Sequence, residues 1–323
     1  MTYSKALKIL IQRGIIKNPV ISELSSGNNY QSFLIVDNNY KYVLRLPLKK
    51  SNSKNRLEKA YLVLKFVEDG GFNFSEKAVF FDKKNSFLLS TYISGKEVSI
   101  RDLNQNQLSN FIEKIIGLKK LNFNKFNNLQ KKNKLSLNIL ENPIDRLSLL
   151  KKERIKFIQK NKKVLTNNQI DFSNLICWID DNFSFLQNFY KTKKYKKADL
   201  FFDHGDVAGA NIIINKNNLF FIDWDNAKFT HDLGFSLANT LFYSGSFSKK
   251  FIDEFLSLYF KKIKTNFDKK IFSEEFNFGF KLIVFSGVLW SLESFIKSIK
   301  NNDVNYGKYF VMYKERLRIY NKL

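Results

Sequence analysis

The chain has 323 residues, enough to bury a large core and to form two lobes of ordinary domain size. Its single cysteine, Cys177, excludes a disulfide framework and a cysteine zinc site, and two histidines argue against a histidine metal centre. The formal net charge is +24, but the lysines are spread over many segments and accompany abundant asparagine, isoleucine and phenylalanine, as AT-rich coding produces. We therefore interpret the charge as solvated lysine faces and expect no nucleic-acid partner.

The N-terminal segment 1–17 has apolar residues at helical spacing but lacks the apolar core and cleavage site of a signal peptide. It is predicted to be an amphipathic helix. The longest apolar stretch, 282–292, is shorter than the about 18 to 20 residues that a membrane span needs. We expect no membrane span and a cytoplasmic protein.

The next part of the chain predicts a small sheet. Alternation of apolar and polar residues indicates three strands, at 20–24, 32–37 and 40–46, and a helical period follows at 56–68. Two further strands, 78–81 and 86–89, complete five strands, and residues 91–95 form the crossing to a second lobe.

The remaining chain is predicted to be mainly helical. The predicted helices are 106–122, 144–157, 174–191, 237–243, 249–262 and 276–300. The segment 122–138, rich in asparagine and lysine, is interpreted as a surface loop. The fold class is therefore α+β, with an N-terminal lobe at 1–93 and a helical lobe at 94–323.

One motif carries chemistry. Asp206 follows His204 and Gly205, Asn211 stands five residues after Asp206, and Asp223 ends an apolar run. The spacing D-x-x-x-x-N is that of the protein-kinase catalytic loop, in which the aspartate accepts the acceptor proton and the asparagine binds magnesium. Asp223 is the further Mg²⁺ ligand, because a hard cation takes carboxylate and amide oxygens. The alternative is an Asx-capped turn before a strand.

These residues resemble the aminoglycoside phosphotransferase and choline kinase family, whose motifs read H-G-D-x-x-x-x-N and I-D-W-E/D. The resemblance implies a two-lobed protein-kinase-like fold that transfers the γ-phosphate of ATP, or of GTP, to a hydroxyl group of a small molecule. The sequence departs from the family motifs at two positions. Gly205 stands where choline kinases commonly have asparagine, and Ser236 stands where the family has a second aspartate.

The resemblance also assigns nucleotide residues in the first lobe. They are a phosphate loop at Ser26, Gly27 and Asn28, the phosphate-contacting cation Arg45, its orienting carboxylate Glu58, and the adenine-side backbone of Tyr92 and Ile93. The loop could equally be a plain hairpin turn, and Glu58 could be an exposed helix charge.

Candidate acceptor residues are Asp225 together with Trp290 and Glu293, which lie three apart on one helix. An aromatic face with a carboxylate suits a quaternary ammonium, so a choline or ethanolamine-type kinase is one alternative. The other interpretation of Trp290 is a tryptophan of the hydrophobic core.

For the protein as a whole, the alternative of another class is a catalytically inactive basic binding module. The retained base and metal ligands argue against it. The oligomeric state stays open.

Overall fold

The computed structural model describes residues 2–26, 30–48, 53–133, 137, 140–193, 200–207, 209–243, 248–263 and 269–323. Two compact units divide the chain. One contains Met1–Ile139 and His204–Lys228, and the other contains Leu140–Asp203 and Phe229–Leu323. The lobes expected at 1–93 and 94–323 stay a prediction, and the first unit contains residues 204–228 in addition to residues 1–139.

The first unit contains a five-stranded antiparallel sheet. Its strands are β1 (Pro19–Ser26), β2 (Tyr30–Asp37), β3 (Tyr40–Pro47), β4 (Ala78–Asp82) and β5 (Phe87–Thr91). Their order is β1-β2-β3-β5-β4. All five strands predicted from alternation are confirmed, with ends that differ by a few residues.

The further strands of the described chain are short. They are β6 (Lys96–Glu97), β7 (Phe201–Asp203), β8 (Ile212–Asn215), β9 (Asn218–Phe221) and β10 (Lys228–Thr230). In the first unit β6, β8 and β9 form a three-stranded sheet in that order. The β8–β9 hairpin is the element that positions the motif residues.

Twelve α-helices lie in the described residues. They are α1 (Tyr3–Gln12), α2 (Ser53–Asp69), α3 (Gln105–Lys119), α4 (Phe123–Lys132), α5 (Pro143–Leu149), α6 (Lys156–Lys160), α7 (Lys162–Asn167), α8 (Phe172–Thr192), α9 (Leu233–Tyr243), α10 (Lys249–Ile263), α11 (Lys269–Lys300) and α12 (Tyr306–Tyr320). The amphipathic N-terminal helix is confirmed. It covers the sheet with Ala6 and Leu10, which are fully buried against strand residues such as Ile35 and Leu44.

The predicted loop at 122–138 is wrong over most of its length, because its first part is helix α4. The side chain of Asn122 accepts hydrogen bonds from the backbone N–H groups of Asn124, at 2.8 Å, and Lys125, at 3.3 Å. It is therefore the N-cap of the helix. Phe126 is fully buried and packs edge-on against Phe66, with ring centroids 5.1 Å apart. Composition suggested a loop, but the cap and this contact favour a helix.

In the second unit, the predicted helix 144–157 is not continuous. Its middle part, Leu150–Ile155, has π-helical hydrogen bonding between α5 and α6. The core helix is α11, whose stretch Lys270–Lys300 is long and apolar enough by composition to cross a membrane. Its apolar window is 72% buried in the fold, as in a core helix.

Candidate active site

The three motif residues lie at one end of the β8–β9 hairpin. Ile212 pairs with Phe221, so Asn211 and Asp223 flank the same end of the two strands. The carbonyl of Asn211 accepts a hydrogen bond of 3.1 Å from the N–H of Ile222. The amide Nδ2 of Asn211 donates to the backbone carbonyl of Asp206 at 2.8 Å. Because this hydrogen bond uses Nδ2, the side-chain Oδ1 of Asn211 is left as the atom that suits a hard cation.

The segment before Asp206 is fixed by its neighbours. His204 is fully buried, its Nε2 lies 3.1 Å from the carbonyl oxygen of Ile222, and its ring packs on Trp224. Gly205 has φ +79°, and a Cβ at this position would lie 2.1 Å from the carbonyl oxygen of Asn226. Glycine fits this close approach, whereas any side chain would displace the backbone of Asn226.

The carboxylate of Asp206 is held in an environment that favours its neutral form. Burial raises the pKa of Asp206, and the negative charge of Asp225 raises it further. The amide of Asn226, which donates to Oδ2 of Asp206 at 3.2 Å, opposes this rise, as do the charges of Lys228 and Arg56. A carboxylate with a raised pKa is suited to accept a proton.

Asp223 has a strained backbone and an unfavourable charge. Its φ of 63° and ψ of 66° lie in the left-handed region, which residues other than glycine adopt uncommonly. Burial raises the pKa of its carboxyl to about 7, and the nearby Asp225 and Glu76 add to the rise while Arg45 opposes it. A cation beside Asp223 would remove this penalty.

The donor atoms fit Mg²⁺. Asn211 and Asp223 offer only oxygen ligands, and the excess of negative charge around Asp223 favours a cation. No group of three or more His, Cys, Asp or Glu side chains converges as a metal cage within the described part of the chain.

Sequence reasoning missed Glu76, which bridges Arg45 and Asp223. It is 1% exposed, and its Oε1 lies 3.0 Å from Nη2 of Arg45. The same oxygen accepts from the backbone N–H of Asp223 at 3.2 Å, and Oε2 accepts from the hydroxyl of Ser90 at 2.6 Å. Glu76 stands alone in an irregular segment before β4. The sequence signals Glu76 just as an acidic residue between Phe74 and Ala78.

The prediction that Glu58 orients Arg45 is therefore wrong. Glu58 lies on α2 with its carboxylate 3.7 Å from Nζ of Lys83. Arg45 is buried in β3, and within the described part of the chain its Nη1 has no hydrogen-bond partner. A buried donor without a partner is costly, so Nη1 would be stabilised by an added acceptor such as a phosphate oxygen.

The other nucleotide residues stay predictions. Ser26 ends β1, whereas Gly27 and Asn28 lie outside the described residues. The N–H of Tyr92 donates to the carbonyl of Lys41 at 2.9 Å, so it is not available as a donor to adenine. Ile93 follows β5 in the connection to β6.

The expected acceptor residues are engaged within the protein. Asp225, in the first unit, is 4% exposed, and its Oδ2 accepts from the hydroxyl of Tyr30 at 2.9 Å and from Nη1 of Arg56 at 3.2 Å. In the second unit, the carboxylate of Glu293 pairs with Arg154 at 3.1 Å and also with Lys297.

The structure also corrects the expectation that the Trp290 ring offers a face for a quaternary ammonium. The guanidinium of Arg316 lies 5.1 Å from its ring centroid, and Tyr309 packs against it at 5.8 Å. The ring already contacts a cation of the protein, which would repel a quaternary ammonium at the same face.

The fold and the hairpin define a class. No protein-family model matches the sequence, and a comparison with curated proteins finds no significant match. Solved structures, however, show that the fold is that of the protein-kinase-like small-molecule phosphotransferases. The family resemblance inferred from the motifs is confirmed at this level.

Three of these structures illustrate the likeness. The choline kinase LicA from Streptococcus pneumoniae has a TM-score of 0.67 and 17% identity, over 99% of each chain. A choline kinase from Cryptosporidium parvum Iowa II has a TM-score of 0.66 and 15% identity, over 99% of this chain and 96% of that one. A spectinomycin phosphotransferase in complex with ADP and spectinomycin has a TM-score of 0.63 and 11% identity, over 98% of this chain and 97% of that one.

Proposed function

We propose that this protein is an ATP-dependent phosphotransferase that moves the γ-phosphate to a hydroxyl group of a small molecule. The observation that carries the proposal is the convergence of Asp206, Asn211 and Asp223 at one end of the hairpin, with the Arg45–Glu76 pair bonded to Asp223. Solved neighbours with bound AMP and ADP support nucleotide use.

Each residue has a defined role in this proposal. Asp206 orients the acceptor hydroxyl and accepts its proton as the new P–O bond forms. Arg45 binds phosphate oxygens through Nη1, the donor that has no partner among the described residues. Asn211 and Asp223 would hold Mg²⁺, which when bound neutralises charge on the phosphates.

The acceptor is proposed only as a class. Choline kinases, an ethanolamine kinase and aminoglycoside phosphotransferases share this fold, so their substrates define the first panel to test. The correction of Trp290 removes the residue-level reason for choline. A choline or ethanolamine-type kinase therefore rests on the likeness of folds, as does an aminoglycoside phosphotransferase.

The test is acceptor-dependent release of ADP. The chain would be incubated with Mg²⁺ and ATP, or GTP, against choline, ethanolamine, spectinomycin and other hydroxyl compounds. We expect turnover with at least one acceptor in the wild type and turnover lower by about 10² to 10⁴ in Asp206→Asn. Failure of the wild type to bind Mg²⁺–nucleotide at millimolar concentration would overturn the proposal.

A further inference from the structure

Asp225 lies at the junction of three elements of the first unit. It follows the hairpin by a few residues, Tyr30 is the first residue of β2, and Arg56 is near the start of α2. The carboxylate accepts from the Tyr30 hydroxyl across 195 residues of sequence and from Arg56 across 169. One side chain therefore links the start of β2, which follows the expected nucleotide loop in sequence, and the start of α2 to the segment that carries Asp223.

The burial of this group makes the two bonds important. The side chain of Asp225 is 2% exposed, and its Oδ1 has no hydrogen-bond partner among the residues that the structure describes. A buried carboxylate is costly unless it is paired and hydrogen-bonded. The cost of burying Asp225 is therefore offset at Oδ2, which accepts from the neutral hydroxyl of Tyr30 and from the cationic Arg56.

Tyr30 connects this carboxylate to the nucleotide side. It stands directly after residues 27–29, the part of the chain predicted to contact phosphates. In the sheet it pairs with Pro47, two residues beyond Arg45. It is 7% exposed, so its hydroxyl has little access to water as a substitute partner.

We propose that Asp225 is a positioning residue for the nucleotide. Through Tyr30 and Arg56 it fixes the start of β2 and the start of α2 against the segment that carries Asp223. This inference rests on the proposed phosphotransferase function and adds a determinant of nucleotide affinity to it. It also replaces the earlier expectation that Asp225 contacts the acceptor.

The decisive variant is Tyr30→Phe, which removes one oxygen atom and keeps the ring. We expect the Kd for Mg²⁺–ADP and the KM for ATP to rise about tenfold, as for loss of one hydrogen bond to a charged group. The kcat at saturating ATP should stay within about twofold. Tyr40→Phe is the matched control, because Tyr40 lies in the same sheet with 66% exposure and should change neither constant.

Two more variants separate positioning from simple support of the fold. Arg56→Lys keeps the charge and should retain most of the affinity that Arg56→Gln loses. The double variant Tyr30→Phe, Asp225→Ala should bind nucleotide no more weakly than Asp225→Ala alone, since each single change already removes the Tyr30–Asp225 hydrogen bond.

Nucleotide binding is measured directly with a fluorescent ADP analogue and Mg²⁺, so no acceptor is needed. A wild type that binds nucleotide, with Tyr30→Phe binding equally well and only melting earlier, would overturn this inference and leave the proposed function intact. A wild type that binds no nucleotide would overturn both.

Discussion

Glu76 and Arg45 form a buried ion pair, with Nη2 and Oε1 3.0 Å apart and side chains only 2% and 9% exposed. The pair also holds the metal side, because Oε1 accepts from the N–H of Asp223. Removing one partner of a buried pair is costly, since the other charge is left uncompensated.

Glu76→Gln should therefore impair both stability and catalysis. We expect the free energy of unfolding to fall by about 3 kcal/mol and kcat/KM for ATP to fall by about 100-fold. Urea unfolding and steady-state kinetics measure the two effects. Glu58→Gln is the matched control, because its carboxylate lies 3.7 Å from Nζ of the exposed Lys83, and it should stay within about twofold of wild type. The reverse result would return the orienting role to Glu58.

Asp206→Asn should remove the base while sparing the nucleotide. We expect kcat to fall by about 10² to 10⁴, the range for a positioned general base, with nucleotide affinity within a few-fold of wild type. Asp203→Asn is the control in the same segment, because its buried carboxylate accepts from the hydroxyl of Ser236 at 2.6 Å. That variant should melt earlier but turn over normally. An inactive Asp203→Asn beside an active Asp206→Asn would show that the catalytic register is wrong.

Asp223→Asn should abolish phosphoryl transfer and yet stabilise the metal-free protein at neutral to alkaline pH. The pKa of Asp223 is raised from 3.8 to about 7 in the folded state. Its contribution to stability is thus fully present below about pH 3.8 and is lost as pH rises through about 7. Asparagine stays neutral and avoids this loss.

Calorimetry in EDTA at two pH values would measure that effect. At pH 8 the Tm of Asp223→Asn should exceed that of the wild type by roughly 2–4 °C, the shift that about 1 kcal/mol gives. Near pH 4 the difference should vanish. Asp102→Asn, on an exposed side chain, should show no difference at either pH. A Tm gain of the same size at both pH values would contradict the electrostatic explanation.

Gly205→Ala tests the close approach in the catalytic loop. A Cβ at Gly205 would meet the carbonyl oxygen of Asn226 at 2.1 Å, in addition to the cost of a positive φ. Gly71 has φ +81° but nothing within 4 Å of its Cβ position, so Gly71→Ala isolates the backbone cost. We expect the free energy of unfolding to fall by about 1–2 kcal/mol in Gly71→Ala and by at least about 2 kcal/mol more in Gly205→Ala. Activity should be lost only in Gly205→Ala. Equal costs would mean that the overlap relaxes freely.

The sequence by itself determined the strands of the small sheet, most of the helices and the three motif residues. Alternation and helical period are local signals, and they predict an element wherever one face is buried. Asp206, Asn211 and Asp223 are also close in sequence, and a single hairpin brings them together. Local signals failed at α4, where the asparagine-rich composition concealed a cap and a buried phenylalanine.

Only the tertiary structure decided the partners of the charged residues. Arg45 pairs with Glu76 across 31 residues, and Asp225 takes its donors from Tyr30 and Arg56 across 195 and 169. Trp290 meets the cation of Arg316 through packing of α11 against α12. Periodicity shows which face of an element is buried, but not which distant element covers it. The partner of a buried charge depends on that packing, so no pattern within one segment can specify it.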